Sequence, residues 1–172
     1  MDIYQRADEA IRRAKRKYYE IAVEAYIVAL LEAHIERVKA HRMADEAIDM
    51  EKIMEWLEDV DPVTMYAFLP EAERKKARLL EAASVAENRN KEIDKALRYW
   101  SKQLAQYADN SVFYARLKAF RDAGVEKVMW NTQRDERVCD ECGPMDGEIF
   151  EIDNVPDTPH WGCRCFCTPV FD

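Results

Sequence analysis

Apolar and small side chains recur at steps of three and four through the first part of the chain: Tyr4, Ala7, Ile11, Ala14, Tyr18, Ile21, Ala25 and Val28, then Ile35 and Val38. Such steps put them on one helical face. They predict a first helix over residues 2–42, roughly 60 Å long at ~1.5 Å per residue. A second helix over 44–60 presents Ala47, Ile48, Met54 and Leu57, and Asp61-Pro62 stops it. After a short piece over 63–69, Pro70 suits the first turn of a third helix over 71–107. That helix carries a heptad seam of Leu79, Ala83, Ala86, Asn90, Ile93, Leu97, Trp100, Leu104 and Tyr107. The similar lengths of the first and third helices favour an antiparallel hairpin over an intermolecular coiled coil, in which Asn90 would fix register. Asn110 or Ser111 caps a last helix over 112–123, and Gly124 fits its left-handed stop.

Beyond Gly124 the period drops to two. Val125, Lys127, Met129 and Asn131 alternate with Glu126, Val128 and Trp130, the pattern of a short strand. Gly143-Pro144-Met145-Asp146-Gly147 reads as a turn, 148–152 as a second strand and 163–171 as a third extended segment. The expected fold is mainly α with a small α+β tail: a long helical hairpin or bundle, then a β module too small to hold itself together unaided.

Composition sharpens this division. All four glycines and all five cysteines lie beyond residue 123. Residues 1–123 carry a net charge of −1 and residues 124–172 carry −7. The chain of 172 residues, −8 overall and 48% hydrophobic, is globular in balance and too acidic to coat nucleic acid with its whole surface. No apolar run approaches the ~20 residues of a membrane span, and the first residues lack a secretion-signal pattern. A reducing cytosol is the expected site of synthesis, where disulfides are rare.

The fastener suggested by the sequence is a metal. Cys139-x2-Cys142 is followed, after 17 residues, by His160-x2-Cys163-x-Cys165-x-Cys167. Paired thiolates with a second pair from a distant strand complete a tetrahedron, and soft sulfur with one imidazole suits Zn2+. The expected ligands are Cys139, Cys142, His160 and Cys163, with Cys165 as the alternative to Cys163 and Cys167 as the spare thiol. Four protein ligands leave no place for water, so such a site is structural. His34-Ile35-Glu36 before a Cys-x2-Cys superficially matches a zinc deaminase signature, but Cys139 stands 105 residues beyond His34 and follows Val138 instead of proline.

The run from Gly124-Val125 through Trp130-Asn131-Thr132, Asp135-Glu136-Arg137-Val138-Cys139-Asp140-Glu141-Cys142, Asp146-Gly147 and Pro159-His160-Trp161-Gly162-Cys163-Arg164-Cys165 resembles the C-terminal domain of the phage Mu F-like head morphogenesis, or minor capsid, proteins. The resemblance covers about residues 111–171, and the chain divides accordingly into a helical region, 1–110, and a Cys/His module, 111–172. Three features depart from the family pattern: Trp161 replaces a proline, Ala105-Gln106-Tyr107 stands where many members have Arg-Thr-Glu, and Cys167 is additional. The resemblance implies a low-copy, non-enzymatic structural protein of a phage or prophage virion, made in the host cytoplasm. It further implies portal or major capsid protein as partner, with a role in assembly, DNA packaging or delivery. Trp130, Thr132, Asp135, Arg137, Asp146, Gly147 and Arg164 are the motif residues. Trp130 is expected to plug the small core and Asp135 with Arg137 to brace the knuckle turn; the alternative reading of these residues is a docking surface for portal or coat protein. The long helices could self-associate.

Two other functions compete. A nuclease-like toxin module would use His160, Arg164 and Glu148 as base, phosphate clamp and acid. A zinc-containing DNA-binding protein would use the basic clusters Arg12, Arg13, Lys15, Arg16, Lys17 and Arg74, Lys75, Lys76, Arg78, although such clusters are usually a solvated helical face.

Overall fold

The computed structural model describes residues 3–49, 81, 91, 108–159 and 162–171. Within them the order is α1 (Ile3–Glu32), α2 (Arg37–Ala47), α3 (Ala108–Asp122), β1 (Lys127–Asn131), β2 (Ile149–Glu151) and β3 (Phe166–Val170), with 3-10 turns at Gly143–Met145 and Ile152–Asn154.

The expected first helix is two helices. α1 stops because Ile35 N–H reaches back to the Leu30 carbonyl at 2.9 Å and His34 N–H to Leu31 at 3.0 Å, with His34 at φ +62. This pairing closes a helix with a left-handed residue, a position that tolerates His better than most side chains. The Glu36 carboxylate then caps α2, accepting from Val38 N–H at 3.2 Å and Lys39 N–H at 3.3 Å. The turn has a packing cause: it folds Ala40, Ala44 and Ile48 against the core, where all three are buried. A straight continuation would leave them in water. Val28 and Val38, expected on the buried face, are exposed instead. His34, expected within a helix, ends one, and its ring stacks on Phe171 at 4.9 Å.

The expected helix over 44–60 does not form as drawn: α2 ends at Ala47, and residues beyond 49 lie outside the described set. So does the expected helix over 71–107 with its Asn90 seam, except Glu81 and Lys91, which are helical and exposed. The last helix begins at Ala108, so neither Asn110 nor Ser111 caps it. It ends as expected at Gly124, φ +76, with Val125 N–H on the Phe120 carbonyl at 2.9 Å.

α1 and α3 pack antiparallel, since Tyr26 bonds Asp122 and Glu32 bonds Arg116. Small residues at the contact (Ala22, Ala25, Ala29, Ala115, Ala119) let the helices approach, and Tyr18, Tyr26, Leu30, Phe113, Leu117 and Phe120 fill the rest. On its other side α3 covers the antiparallel sheet, whose order is β2-β1-β3. Val128 pairs with Phe150, and Trp130 with Cys167, so these side chains share the face turned to the helix. Trp130 is fully buried, 5.1 Å from the Phe113 ring and 6.5 Å from Phe150. Arg116 joins the layers. Buried itself, it pairs with Glu32 of α1, donates to the Cys167 carbonyl of β3 at 2.8 Å, and lies over the Phe120 and Phe166 rings. Among the described residues no helix is long and apolar enough to cross a membrane.

Candidate metal centre

The site hangs from the far end of the sheet, where β1 runs out at Asn131. Trp130 exchanges backbone bonds with the turn: its N–H donates to the Glu148 carbonyl and its carbonyl accepts from Gly147 N–H, both at 2.8 Å. Gly147 sits at φ +84, a conformation that disfavours any Cβ. Asp146 completes the lock. One carboxylate oxygen accepts from Thr132 N–H at 2.8 Å and Thr132 Oγ1 at 3.1 Å, and the other accepts from Arg134 Nε at 2.9 Å. The backbone bond from Thr132 is the main cause that holds the Asp146 carboxyl below its ordinary range. The lock also fixes Arg134 in the left-handed region, φ +54. Trp130, Thr132, Asp146 and Gly147 thus form one hydrogen-bonded corner that aims the next segment.

That segment is the knuckle. Gly143 N–H bonds the Cys139 carbonyl at 3.0 Å, and Cys142 N–H points at Cys139 Sγ at 3.3 Å. Opposite it, Cys163 and Cys165 approach on the chain leading into β3. A bidentate ion pair holds the two pieces together: Arg164 donates from both terminal nitrogens to the two Asp135 oxygens, at 2.8 Å each. These Arg164 bonds are the chief cause that lowers the Asp135 carboxyl to about 2. Gln133 adds a bond to the Arg164 carbonyl at 3.0 Å. The Arg137 side chain is exposed, and its part in the brace is its backbone N–H, which donates to Asp135 at 3.1 Å. Asp135 therefore braces the knuckle chiefly with Arg164 and not with the Arg137 side chain.

The Sγ atoms of Cys142, Cys163 and Cys165, all buried, lie within 4.8 Å of one another. Cys142 and Cys163 are 3.7 Å apart. A tetrahedron of sulfurs at ~2.3 Å from a zinc ion has an edge of ~3.8 Å, so this spacing fits a metal. Cys139, half-buried, stands outside that mutual triad but lines the same cavity of about 30 Å3 with Val138, Gly162 and the three clustered cysteines. Such a volume takes one ion or one water. It is an order of magnitude below an ordinary ligand pocket. Cys167 is buried on the helix side, beside Arg116, away from the triad. His160 lies outside the described residues.

The donor chemistry agrees with the spacing. Burial pushes the Cys163 thiol up to about 11, and drives Cys142 further the same way. Buried thiolates crowded together need a compensating charge, which a dication supplies.

Sequence reasoning missed Arg116, whose role depends on three elements far apart in the chain. It also missed the Arg164–Asp135 pair, although both residues belong to the motif run. Alternation of Cys163 and Cys165 along an extended segment was the signal for both thiols sharing one site.

The family model described as Phage Mu protein F like protein matches residues 87–168, so this segment is similar to the family that the motif run resembles. A curated relative, an uncharacterized protein of Haemophilus influenzae, is 45% identical over 56 residues. That alignment takes in 30% of this chain and 12% of the relative, so the chain matches about an eighth of that protein's length. No solved structure matches.

Proposed function

We propose that this protein is a minor structural component of a phage or prophage head, acting at the portal vertex or head interior during assembly, DNA packaging or delivery. The match of residues 87–168 to the Mu F-like family, which suggests a head morphogenesis protein, carries this reading. The hydrogen-bonded corner built on the motif residues supports it, because those residues make a rigid module and not an open reaction site. Residues 111–172 act as that module, and residues 1–110 supply the helical region. A structural Zn2+ fastens the knuckle to the chain leading into β3. Portal or major capsid protein is the partner, and the module is non-enzymatic.

The nuclease alternative fares worse on one observation: the Arg164 guanidinium, its phosphate clamp, is already engaged by Asp135 through both terminal nitrogens. Weak contact with DNA is the better secondary reading. Arg12, Arg13 and Arg16 are exposed around a cleft of about 680 Å3 on α1, which Gln5 and Glu9 also line.

Mass spectrometry of purified procapsids and virions of the parent phage tests the proposal. Peptides of this chain in heads, at low copy relative to coat protein, are expected. Their absence from both particles, with the chain expressed in the same cells, would contradict it. RNA or DNA cleavage by the pure protein, abolished by His160→Ala, would favour the nuclease instead.

A further inference from the structure

We infer that the metal centre is an all-sulfur site made of Cys139, Cys142, Cys163 and Cys165. This rests on the metal reading above and departs from the mixed sulfur and imidazole set that the spacing of the sequence suggests. Three of the four vertices are already gathered, since the Sγ atoms of Cys142, Cys163 and Cys165 are mutually within 4.8 Å. One edge, Cys142 to Cys163, has the tetrahedral value.

The fourth vertex falls to Cys139 for three reasons. Cys139 lines the same small cavity as the triad. It lies on the turn that carries Cys142, closed by Gly143 N–H on its carbonyl. Its sulfur also accepts the Cys142 N–H at 3.3 Å. Such a bond favours a thiolate over a thiol, because the acceptor is then charged.

The result is two chelates, Cys-x2-Cys from the knuckle and Cys-x-Cys from the approach to β3. Four sulfurs fill a tetrahedron and leave no vertex for an imidazole. Four thiolates with a dication carry two net negative charges, and Arg137, which lines the cavity, is a cation at hand, while the Arg164 charge is matched by Asp135. Such a set selects thiophilic dications: Zn2+ first, with Co2+ and Cd2+ as spectroscopic stand-ins.

Titration of the full chain with Co2+ tests the inference. Expected are tetrahedral d–d bands and a sulfur-to-cobalt charge-transfer band of four-thiolate intensity. His160→Ala and Cys167→Ala leave both unchanged, whereas Cys139→Ala and Cys165→Ala each remove about a quarter of the charge-transfer intensity. A three-thiolate intensity that changes in His160→Ala overturns the ligand set while sparing the metal. No tetrahedral cobalt spectrum in the unaltered chain overturns both. If the cysteine variants fail to fold, the 113Cd resonance of the unaltered protein decides: a four-sulfur shift supports the inference and a three-sulfur, one-nitrogen shift contradicts it.

Discussion

Arg164 and Asp135 meet fork to fork, two parallel bonds of 2.8 Å between residues 29 apart in the chain. One comes from the segment that carries Cys163 and Cys165, the other from the loop leading to Cys139 and Cys142. The pair therefore ties together the two segments that carry the cysteines of the candidate metal centre. A planar guanidinium does this better than an ammonium, because its two donors fix orientation as well as separation.

Breaking that pair is expected to weaken metal affinity more than it unfolds the chain. Arg164→Lys should lower zinc affinity about tenfold, within the range usual for residues that support a ligand shell. Asp135→Asn should do the same, and the double variant should be no worse than either alone. Competition against a chromophoric chelator measures this. Losses that simply multiply would show that the two residues act separately.

The same pair has a pH signature. The folded Asp135 carboxyl titrates near 2, below the ordinary carboxylate range. Its contribution is therefore complete above about pH 4 and is lost as pH falls through 2. In Arg164→Gln the Asp135 titration should return toward the ordinary range, read by carboxyl 13C NMR. An unchanged titration would remove Arg164 as the principal cause.

Trp130 should behave as the keystone of the sheet's covered face. Trp130→Ala should cost about 3–5 kcal/mol, as large aromatic truncations do. Trp130→Phe should cost much less. The ring contacts with Phe113 and Phe150 largely remain, and the indole Nε1 it removes is buried with no hydrogen-bond partner among the described residues. Urea unfolding followed by circular dichroism gives both values. Equal losses would mean that the indole nitrogen has a partner that matters.

Two glycines separate backbone strain from crowding. A Cβ at Gly147 meets nothing within 4 Å, yet φ is +84, so Gly147→Ala should cost about 1–2 kcal/mol through conformation alone. Gly143→Ala places its Cβ 4.0 Å from Val138 Cγ1, with φ outside the left-handed region, and should lie within about 0.5 kcal/mol of the parent. Thermal melts of the pair check this, and the reverse order would contradict the turn described.

What the sequence disclosed was local. The period of two located β1, the segments 148–152 and 163–171 bracketed β2 and β3, and the Asp146-Gly147 turn announced itself through residues that only such a turn favours. The Trp130-x-Thr132 motif signalled the module, but only coordinates reveal that Asp146 is what Thr132 binds. The break after α1 was hidden because it uses neither glycine nor proline. It follows from Glu36 capping α2 and from the burial of Ala40, Ala44 and Ile48, which no window of sequence contains. Arg116 was hidden for the same reason: Glu32, Phe120 and the Cys167 carbonyl become its neighbours only after folding. In the candidate metal centre, spacing identified the cysteines as a group, but only the fold shows that Cys142, Cys163 and Cys165 converge.

The claim on which the account turns is that a bound metal fastens residues 111–172, and the pH dependence of stability with and without metal tests it most directly. Without metal, the raised Cys163 thiol keeps its proton to about 11 while unfolded thiols ionise near ~8.5, so stability should fall as pH rises past that point. With Zn2+ bound the folded thiolates hold no protons, so stability should rise with pH up to about 8.5. The measurement is chemical denaturation from pH 6 to 10, with one equivalent of Zn2+ and with chelator. A rise with pH below about 8.5 only with Zn2+, and a fall above it only with chelator, are the predicted result, and identical curves in the two conditions would contradict the metal fastener.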